Sequence, residues 1–146
     1  MSLGFLLWVA TTLLPQPLAN QTCLTTTVYL EARGEPVAGQ FAVAEVALRR
    51  QEMPRWNHDM CKVVTAPWQF APATTPKSFA IKNLAAWNKA WRIAGESMRM
   101  WKLPAKQRVV VVPRANHFVK LAAASPKWAK GRPLRTIGEH SFYAVN

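Results

Sequence analysis

The sequence predicts a single α+β domain that is mainly helical and carries a small antiparallel β-sheet. Two segments, residues 24–50 and 79–102, repeat apolar residues at spacings of three and four, which is the period of a helix with one buried face. After residue 108 the chain instead holds short β-branched runs separated by prolines and glycines, a pattern typical of strands. A chain of 146 residues, half of them hydrophobic, is long enough to bury one core.

Residues 1–19 are a hydrophobic N-terminal segment, and we place the domain at residues 20–146. The segment contains about twelve mainly apolar residues, whereas roughly twenty are needed to span a bilayer. That length suits the core of a secretory signal peptide with cleavage after Ala19. Two observations oppose cleavage, since no basic residue precedes the run and Pro17 stands where a small residue is preferred. The alternative is an arm that packs on the domain or anchors it to a membrane.

Residues 24–50 are interpreted as two helices joined by a tight corner. Gly34 can adopt the left-handed conformation that ends a helix, and Pro36 suits the first position of the next one. In the second helix four apolar residues share one face, and two arginines favour its C-terminal end. These are Val37, Phe41, Ala44 and Leu48, followed by Arg49 and Arg50.

Glu31 extends the apolar stripe that Leu24 and Val28 begin on the first helix. A carboxylate at the inner end of such a stripe is partly desolvated, and desolvation keeps a glutamate protonated near neutral pH, as a general acid requires. The alternative is an ordinary surface glutamate near a helix end. Glu35 instead looks structural, because it precedes a proline and lies at the positive end of the second helix.

A proline-rich loop at residues 65–77 follows a short helix predicted at residues 58–65. In the middle of the loop stand Trp68, Gln69 and Phe70, and loops on a rigid scaffold commonly carry binding groups. The alternative is that one of the two aromatic residues fills the core.

The helix predicted at residues 79–102 is the most regular element of the chain. Its apolar stripe begins at Leu84 and includes three tryptophans, Trp87, Trp91 and Trp101. Because apolar residues at this spacing normally face a core, we assign the three to packing rather than to sugar stacking.

Three extended segments are predicted near the C-terminus, at residues 109–112, 115–119 and 134–145. A basic loop at residues 125–133 separates the last two. We expect a small antiparallel sheet of two or three strands beside the helices.

The formal net charge is +12, from nineteen Lys and Arg against seven Asp and Glu. Such a surface attracts polyanions, whether nucleic acid, anionic lipid or the acidic polymers of a bacterial envelope. No DNA- or RNA-binding signature accompanies the charge, so no specific nucleic acid binding is expected. The three histidines and two cysteines lack metal-ligand spacing, and neither a metal site nor another cofactor is predicted.

Four pieces of the sequence resemble the signature of the SleB-type cell wall hydrolases, a family of spore-cortex-lytic enzymes and related phage and bacterial enzymes that cleave peptidoglycan. The pieces stand in the order in which the family carries them, and together they cover roughly residues 23–143. They are YLEARGEP at 29–36 with GQFAVA at 39–44 and Arg49; CKVV at 61–64 with Gln69 and Phe70; ANHF at 115–118; and SPKWA at 125–129 with IGEHSFY at 137–143.

The resemblance implies a lysozyme-like domain that cuts the glycan strand between N-acetylmuramic acid and N-acetylglucosamine. The enzyme would be a lytic transglycosylase or a muramidase, with Glu31 as its general acid and base. A groove lined by Gln69, Phe70, His117 and Trp128 would hold peptidoglycan. The chain would act as a monomer in the periplasm or outside the cell, after export or release during lysis. The alternative is a non-catalytic basic module that binds peptidoglycan, nucleic acid or anionic lipid.

The supply of acidic residues bears on the mechanism, because a glycosidase with two carboxylates holds them about 5 to 10 Å apart. No acid near Glu31 in sequence has an obvious nucleophile setting, which favours a mechanism with one carboxylate. The chain departs from the family at Glu45, in a run that is usually small and apolar, and at Ala71, where a serine is common. The first departure offers a second candidate acid.

Two further pairs of residues carry expectations. His117 and His140 are candidates for hydrogen bonding a sugar or orienting Glu31, and the alternative for each is a buried histidine bonded to backbone. Cys23 and Cys61 lie in the region that the resemblance covers, and two cysteines in an exported chain suggest one disulfide.

Overall fold

The computed structural model describes residues 1–146 as six α-helices followed by a three-stranded antiparallel sheet, which confirms the predicted α+β fold. The helices are α1 (Leu3–Thr12), α2 (Gln16–Ala32), α3 (Val37–Gln51), α4 (Met60–Thr65), α5 (Ala71–Thr74) and α6 (Leu84–Trp101). The strands are β1 (His117–Val119), β2 (Arg135–Ile137) and β3 (His140–Tyr143). Two short 3₁₀ helices, Pro54–Trp56 and Ala105–Gln107, lie in the connections.

Helix α2 is the centre of the core, and it begins at Gln16 rather than near Leu24. All residues from Thr22 to Tyr29 are buried, so neighbouring elements cover this part of the helix on every side. Four of these residues are threonines, whose hydroxyls donate to backbone carbonyls one turn earlier at 2.6 to 3.2 Å. These bonds satisfy polar groups that burial would otherwise leave unpaired.

Helix α1 packs on the domain, and residues 16–19 form the first turn of α2. Leu3, Leu7 and Ala10 of α1 are buried in the core. The start of α1 is also held by backbone bonds, since the amide of Leu3 donates to the carbonyl of Phe79 at 2.8 Å. No helix in the chain combines the length and apolar character that crossing a bilayer demands.

Helix α6 begins at Leu84, five residues after the predicted start at residue 79. The delay has two causes: the Asn83 side chain caps the helix by accepting from the amide of Ala86, and the preceding residues are extended to pair with the N-terminus. Trp87 and Trp101 pack against the core as predicted, whereas Trp91 does not belong to the core cluster and Leu84 is exposed.

The β-branched run at residues 109–112 is not a strand, so that prediction was wrong. Val112 is buried, but the amides of Val111 and Val112 donate to the two carboxylate oxygens of Glu45 at 2.8 and 3.2 Å. The four valines form no regular strand, since Val111 and Val112 lie in a bend and Val109 is 78% exposed. The Glu45 carboxylate supplies the acceptors that a neighbouring strand would have supplied.

The sheet has the order β1-β3-β2, so the C-terminal strand lies in the middle. His117 of β1 pairs with Tyr143, and Ile137 of β2 pairs with His140. The single segment predicted at residues 134–145 is therefore a hairpin. Its turn requires Gly138, whose φ of +56° favours glycine.

The predicted disulfide is present. Cys23 of α2 and Cys61 of α4 are bonded, with 5.2 Å between their Cα atoms. The bond closes a loop of 38 residues that contains the α2–α3 corner.

Candidate active site

Glu31 lies one residue before the end of α2, at a cavity of about 380 Å³. The helix ends with Arg33 in a right-handed conformation, and Gly34 has no positive φ, so the expected left-handed glycine is absent from this corner. The amide of Glu35 donates to the carbonyl of Ala32 and closes the turn instead. Besides Glu31, the cavity is lined by Leu30, Arg33, Gly34, Glu35, Lys120 and Glu139.

The Glu31 carboxyl is largely buried, as expected, and its pKa is raised from 4.5 to about 7. Burial is the main cause, because it penalises the charged form. The positive charges of Arg50 and Lys120 act in the opposite direction and limit the rise. At neutral pH such a group is about half protonated, and it can therefore both give and take a proton.

Arg50, near the end of α3, connects the two sides of the neighbouring cleft. Its guanidinium donates to the carbonyl of Asn116, just before β1, and to the carbonyl of Gln69 in the α4–α5 loop, both at 2.9 Å. It also lies 4.5 Å above the ring of Phe70. Burial lowers the pKa of Arg50 to about 10, opposed by the charge of Glu31. A group titrating there stays charged at neutral pH.

The Arg50 side chain contributes to a second cavity, of about 400 Å³, whose walls include three of the predicted substrate residues. Gln69, His117 and Trp128 meet here, with the rings of His117 and Trp128 centred 4.7 Å apart. We expected Gln69 and His117 to border Glu31 directly, but they do not line its cavity. The two cavities lie at the two ends of β1: His117, its first residue, lines one, and Lys120, the residue after its last, lines the other.

His117 is neutral at physiological pH, because burial, reinforced by the charge of Arg50, lowers its pKa to about 4. Its Nδ1 lies 2.9 Å from the side-chain oxygen of Asn116. A neutral imidazole of this kind can form a hydrogen bond with a sugar hydroxyl, but it cannot stabilise a negative charge as a charged imidazolium would.

Phe70 does not line the cleft as predicted. Only 4% of it is exposed, because its ring lies beneath Arg50 and against Phe118, with 6.1 Å between the two phenyl centroids. The exposed aromatic residue of this loop is Trp68, at 91%. Of the two aromatic residues in this loop, Phe70 therefore fills the core, which is the alternative stated from the sequence.

Glu35 ties the α2–α3 corner to the β2–β3 hairpin. One of its carboxylate oxygens accepts from the amide of Glu139 at 3.0 Å and lies 3.2 Å from Nδ1 of His140. The sequence indicates a structural Glu35 at the positive end of α3, and its carboxylate bonds the hairpin rather than that helix end. His140 is buried and faces Glu35 rather than Glu31, and burial lowers its pKa. Both residues hold the far wall of the Glu31 cavity in position.

The other candidate acids are occupied elsewhere. Glu45 accepts the two valine amides described above, and Asp59 caps α4 by accepting from the amide of Lys62. Glu139 is the exposed carboxylate at the Glu31 cavity, and it pairs with Lys120 at 3.4 Å. The sequence interpretation missed Arg50, Lys120 and Glu139 as site residues, because nothing local marks a charged residue that the fold brings to a distant cavity.

Comparisons with known proteins agree with this fold. The sequence model of the cell wall hydrolase family matches residues 34–143 and so begins three residues after Glu31. The spore cortex-lytic enzyme of Bacillus subtilis (strain 168) is 30% identical over 82% of this chain and 35% of its own length. The corresponding enzyme of Halalkalibacterium halodurans is 28% identical over 79% of this chain and 32% of its own length. The chain thus spans about a third of the length of these curated relatives.

Two solved structures have the same fold. The catalytic domain of the Bacillus cereus SleB protein superposes with a TM-score of 0.66 at 24% identity, covering 85% of this chain and 88% of that domain. The catalytic domain of the germination-specific lytic transglycosylase SleB from Bacillus anthracis gives a TM-score of 0.66 at 23% identity, covering 90% of this chain and 98% of that domain.

Proposed function

The chain belongs to the cell wall hydrolase family, and from that membership we propose that it cuts the glycan strand of peptidoglycan with Glu31 as general acid and base. One observation carries the proposal: Glu31 is a largely buried carboxyl at a cavity, with a pKa of about 7. Burying a carboxyl without a close partner costs stability, and a proton-transfer role gives that arrangement a purpose.

In the first step Glu31 donates its proton to the glycosidic oxygen between N-acetylmuramic acid and N-acetylglucosamine, and the bond from this oxygen to the muramic anomeric carbon breaks. The carboxylate left behind is stabilised by the positive charges of Arg50 and Lys120, which already act on this group. In the second step the Glu31 carboxylate takes a proton from the muramic 6-hydroxyl as that oxygen bonds to the anomeric carbon. The product is a 1,6-anhydro end, and no water is consumed.

The alternative second step is hydrolysis, in which water attacks the anomeric carbon and a second carboxylate assists. Glu45 and Asp59 are engaged in structural bonds, and Glu35 is held by the hairpin. Glu139 is the remaining acid at the Glu31 cavity, and its carboxylate is mostly exposed and pairs with Lys120. This distribution favours the anhydro product.

The neighbouring cleft is proposed to bind the rest of the glycan. Trp128 offers an apolar surface for a sugar ring, while Gln69 and neutral His117 offer hydrogen bonds to hydroxyl and acetamido groups. Phe70 is assigned a supporting role beneath Arg50. The net charge of +12 would draw the protein to the acidic wall. Action outside the cytoplasm fits the Cys23–Cys61 disulfide, a bond that persists in oxidising compartments.

Digestion of purified peptidoglycan, followed by mass spectrometry of the soluble products, tests the proposal. We expect muropeptides with 1,6-anhydro ends, each lighter by one water than the reducing-end products of a muramidase. Products with reducing ends would indicate hydrolysis. Glu31 would then remain the general acid, and Glu139 would be the second carboxylate to test.

The net charge of +12 also supports a second candidate function, a non-catalytic module that binds the wall. Sedimentation of the protein with walls, without release of any fragment, would establish that module and overturn the enzymatic proposal.

A further inference from the structure

Helix α1 is apolar on both its inner and its outer face. Leu3, Leu7 and Ala10 enter the core. The opposite face carries Phe5 and Trp8, which are 52% and 54% exposed, with their rings 6.2 Å apart. A surface helix normally presents polar residues to water on the side away from the core, so this outer face is unusual.

The outer face continues without charge at both ends of the helix. Met1 lies before the extended N-cap Ser2 and is 66% exposed, and Leu13, the C-cap, is 63% exposed. No Asp, Glu, Lys or Arg occurs before Glu31, so every charged side chain of the protein lies in residues 31–146.

The polar side chains at the end of α1 are also satisfied internally. The hydroxyl of Thr11 donates to the carbonyl of Leu7 at 2.8 Å, and that of Thr12 donates to the carbonyl of Trp8 at 2.6 Å. Hydroxyls bonded in this way can leave water without losing a hydrogen bond.

Exposed lysines stand near both ends of α1. The carbonyl of Lys77 accepts from the amide of Gly4 at 2.9 Å, and Lys82 follows Ile81, whose amide donates to the carbonyl of Met1. Lys62 lines a small cavity together with residues at the C-terminal end of α1. None of the three lysines forms an ion pair within the chain. An apolar strip is thus accompanied by free positive charge.

We propose that Phe5 and Trp8 on the outer face of α1, together with Met1 before the helix and Leu13 after it, lie in the interface of an anionic lipid membrane. The aromatic residues and Leu13 would enter the boundary between headgroups and acyl chains, while Lys62, Lys77 and Lys82 would contact the headgroups. The helix would lie in the plane of the membrane, because ten residues extend only about 15 Å and a bilayer core is about twice as thick. This inference is independent of the chemistry at Glu31.

A second copy of the chain is a poorer occupant of this face. Pairing two copies through α1 would bring together the same lysines and two molecules of net charge +12. An anionic membrane instead complements that charge, and each lysine near such a surface contributes about a fivefold change in binding.

Sedimentation of the full chain with vesicles of phosphatidylcholine, with and without phosphatidylglycerol, tests the proposal. We expect strong binding only when phosphatidylglycerol is present. The Phe5→Ser, Trp8→Ser and Leu13→Ser triple variant should bind at least about tenfold more weakly, because burial of large apolar side chains supplies part of the affinity. The matched control replaces three exposed apolar residues elsewhere, Leu84, Val109 and Leu121, with serine and should bind like the parent protein.

A second pair of variants tests the charge. Replacing Lys62, Lys77 and Lys82 with glutamine should weaken binding more than replacing Lys127, Lys130 and Arg132, although each change removes three charges. Thermal unfolding of every variant establishes that it is folded. Equal losses in test and control variants would overturn the proposal. The proposal would also be overturned if the protein dimerised and the triple serine variant did not. It would be overturned too if the mature protein began after α1.

Discussion

Glu31 and Arg50 act on each other electrostatically without forming a close ion pair. Each charge shifts the pKa of the other group, yet no carboxylate oxygen of Glu31 lies within 4.0 Å of a nitrogen of Arg50. A direct bond would stabilise the carboxylate and lower its pKa. The observed separation leaves burial as the larger effect, so the pKa of Glu31 lies near 7 and the group is about half protonated at neutral pH.

Replacement of Glu31 by glutamine should lower the rate of wall clearing by about 10²- to 10⁴-fold, the usual contribution of a general acid. The substitution preserves shape and volume but removes the transferable proton. Clearing of a peptidoglycan suspension measures the rate, and circular dichroism checks the fold. Glu96→Gln, at an exposed glutamate on α6, is the matched control and should retain full activity. Near-normal clearing by Glu31→Gln would remove the centre of the proposed function.

The same variant should become relatively more stable as the pH rises. The pKa of Glu31 is 4.5 in the unfolded chain and about 7 in the folded one, so between these values the folded state binds more protons. The stability of the parent protein through this group therefore falls as the pH rises from about 4.5 to 7. Between pH 4.5 and about 7 the unfolding midpoint of Glu31→Gln should rise relative to that of the parent protein. Above pH 7 the difference between the two midpoints should stay constant. A difference that is constant across the whole range would indicate an unperturbed carboxyl.

Arg50 variants should separate its charge from its hydrogen bonds. Arg50→Gln removes the positive charge that limits the pKa of Glu31, so the alkaline limb of the pH–rate profile should move to higher pH. Arg50→Lys keeps the charge and should leave that limb in place. Both should lower the rate about 10- to 100-fold, because the bonds that hold Gln69 and Asn116 are weakened or lost. Identical limbs in the two variants would contradict the electrostatic role.

Gly138→Ala should destabilise the fold by about 1 to 3 kcal/mol. Its φ is +56°, and a Cβ would lie 2.9 Å from a carboxylate oxygen of Glu35 and 3.0 Å from the Pro36 ring. The matched control is Gly34→Ala at the α2–α3 corner, where nothing lies within 4 Å of the added carbon. Urea unfolding of the two variants measures the difference. Equal stabilities would show that contact between Glu35 and the hairpin tolerates displacement.

Removal of the Cys23–Cys61 disulfide should cost roughly 3 to 4 kcal/mol, the chain-entropy value for its 38-residue loop. The double variant with both cysteines replaced by alanine and the reduced parent protein should unfold at similarly lowered denaturant concentrations. Adding a reductant to the double variant provides the control and should change nothing.

Local sequence patterns were sufficient to predict the helical part of this protein and its candidate catalytic acid. The spacing of apolar residues predicts the α2–α3 corner and the position of Glu31 on its inner stripe, because a helix repeats its buried face every three to four residues. The pairing of Cys23 with Cys61 followed from the presence of only two cysteines in a chain expected to be exported. Locality also explains the error at residues 109–112, where the β-branched run predicted a strand. The chain bends there, and its amides bond the distant Glu45 side chain.

Only the tertiary structure decided which residues surround Glu31. Lys120 and Glu139 reach its cavity from about 90 and 108 positions further along the chain, and Arg50 acts on it from the far end of α3. The burial of Phe70 and the exposure of Trp68 were likewise undetermined, since both are aromatic and stand two positions apart in one loop. Periodicity records whether a residue faces inward. The partners it meets there depend on how separate elements pack, and a single sequence carries no local signal for that.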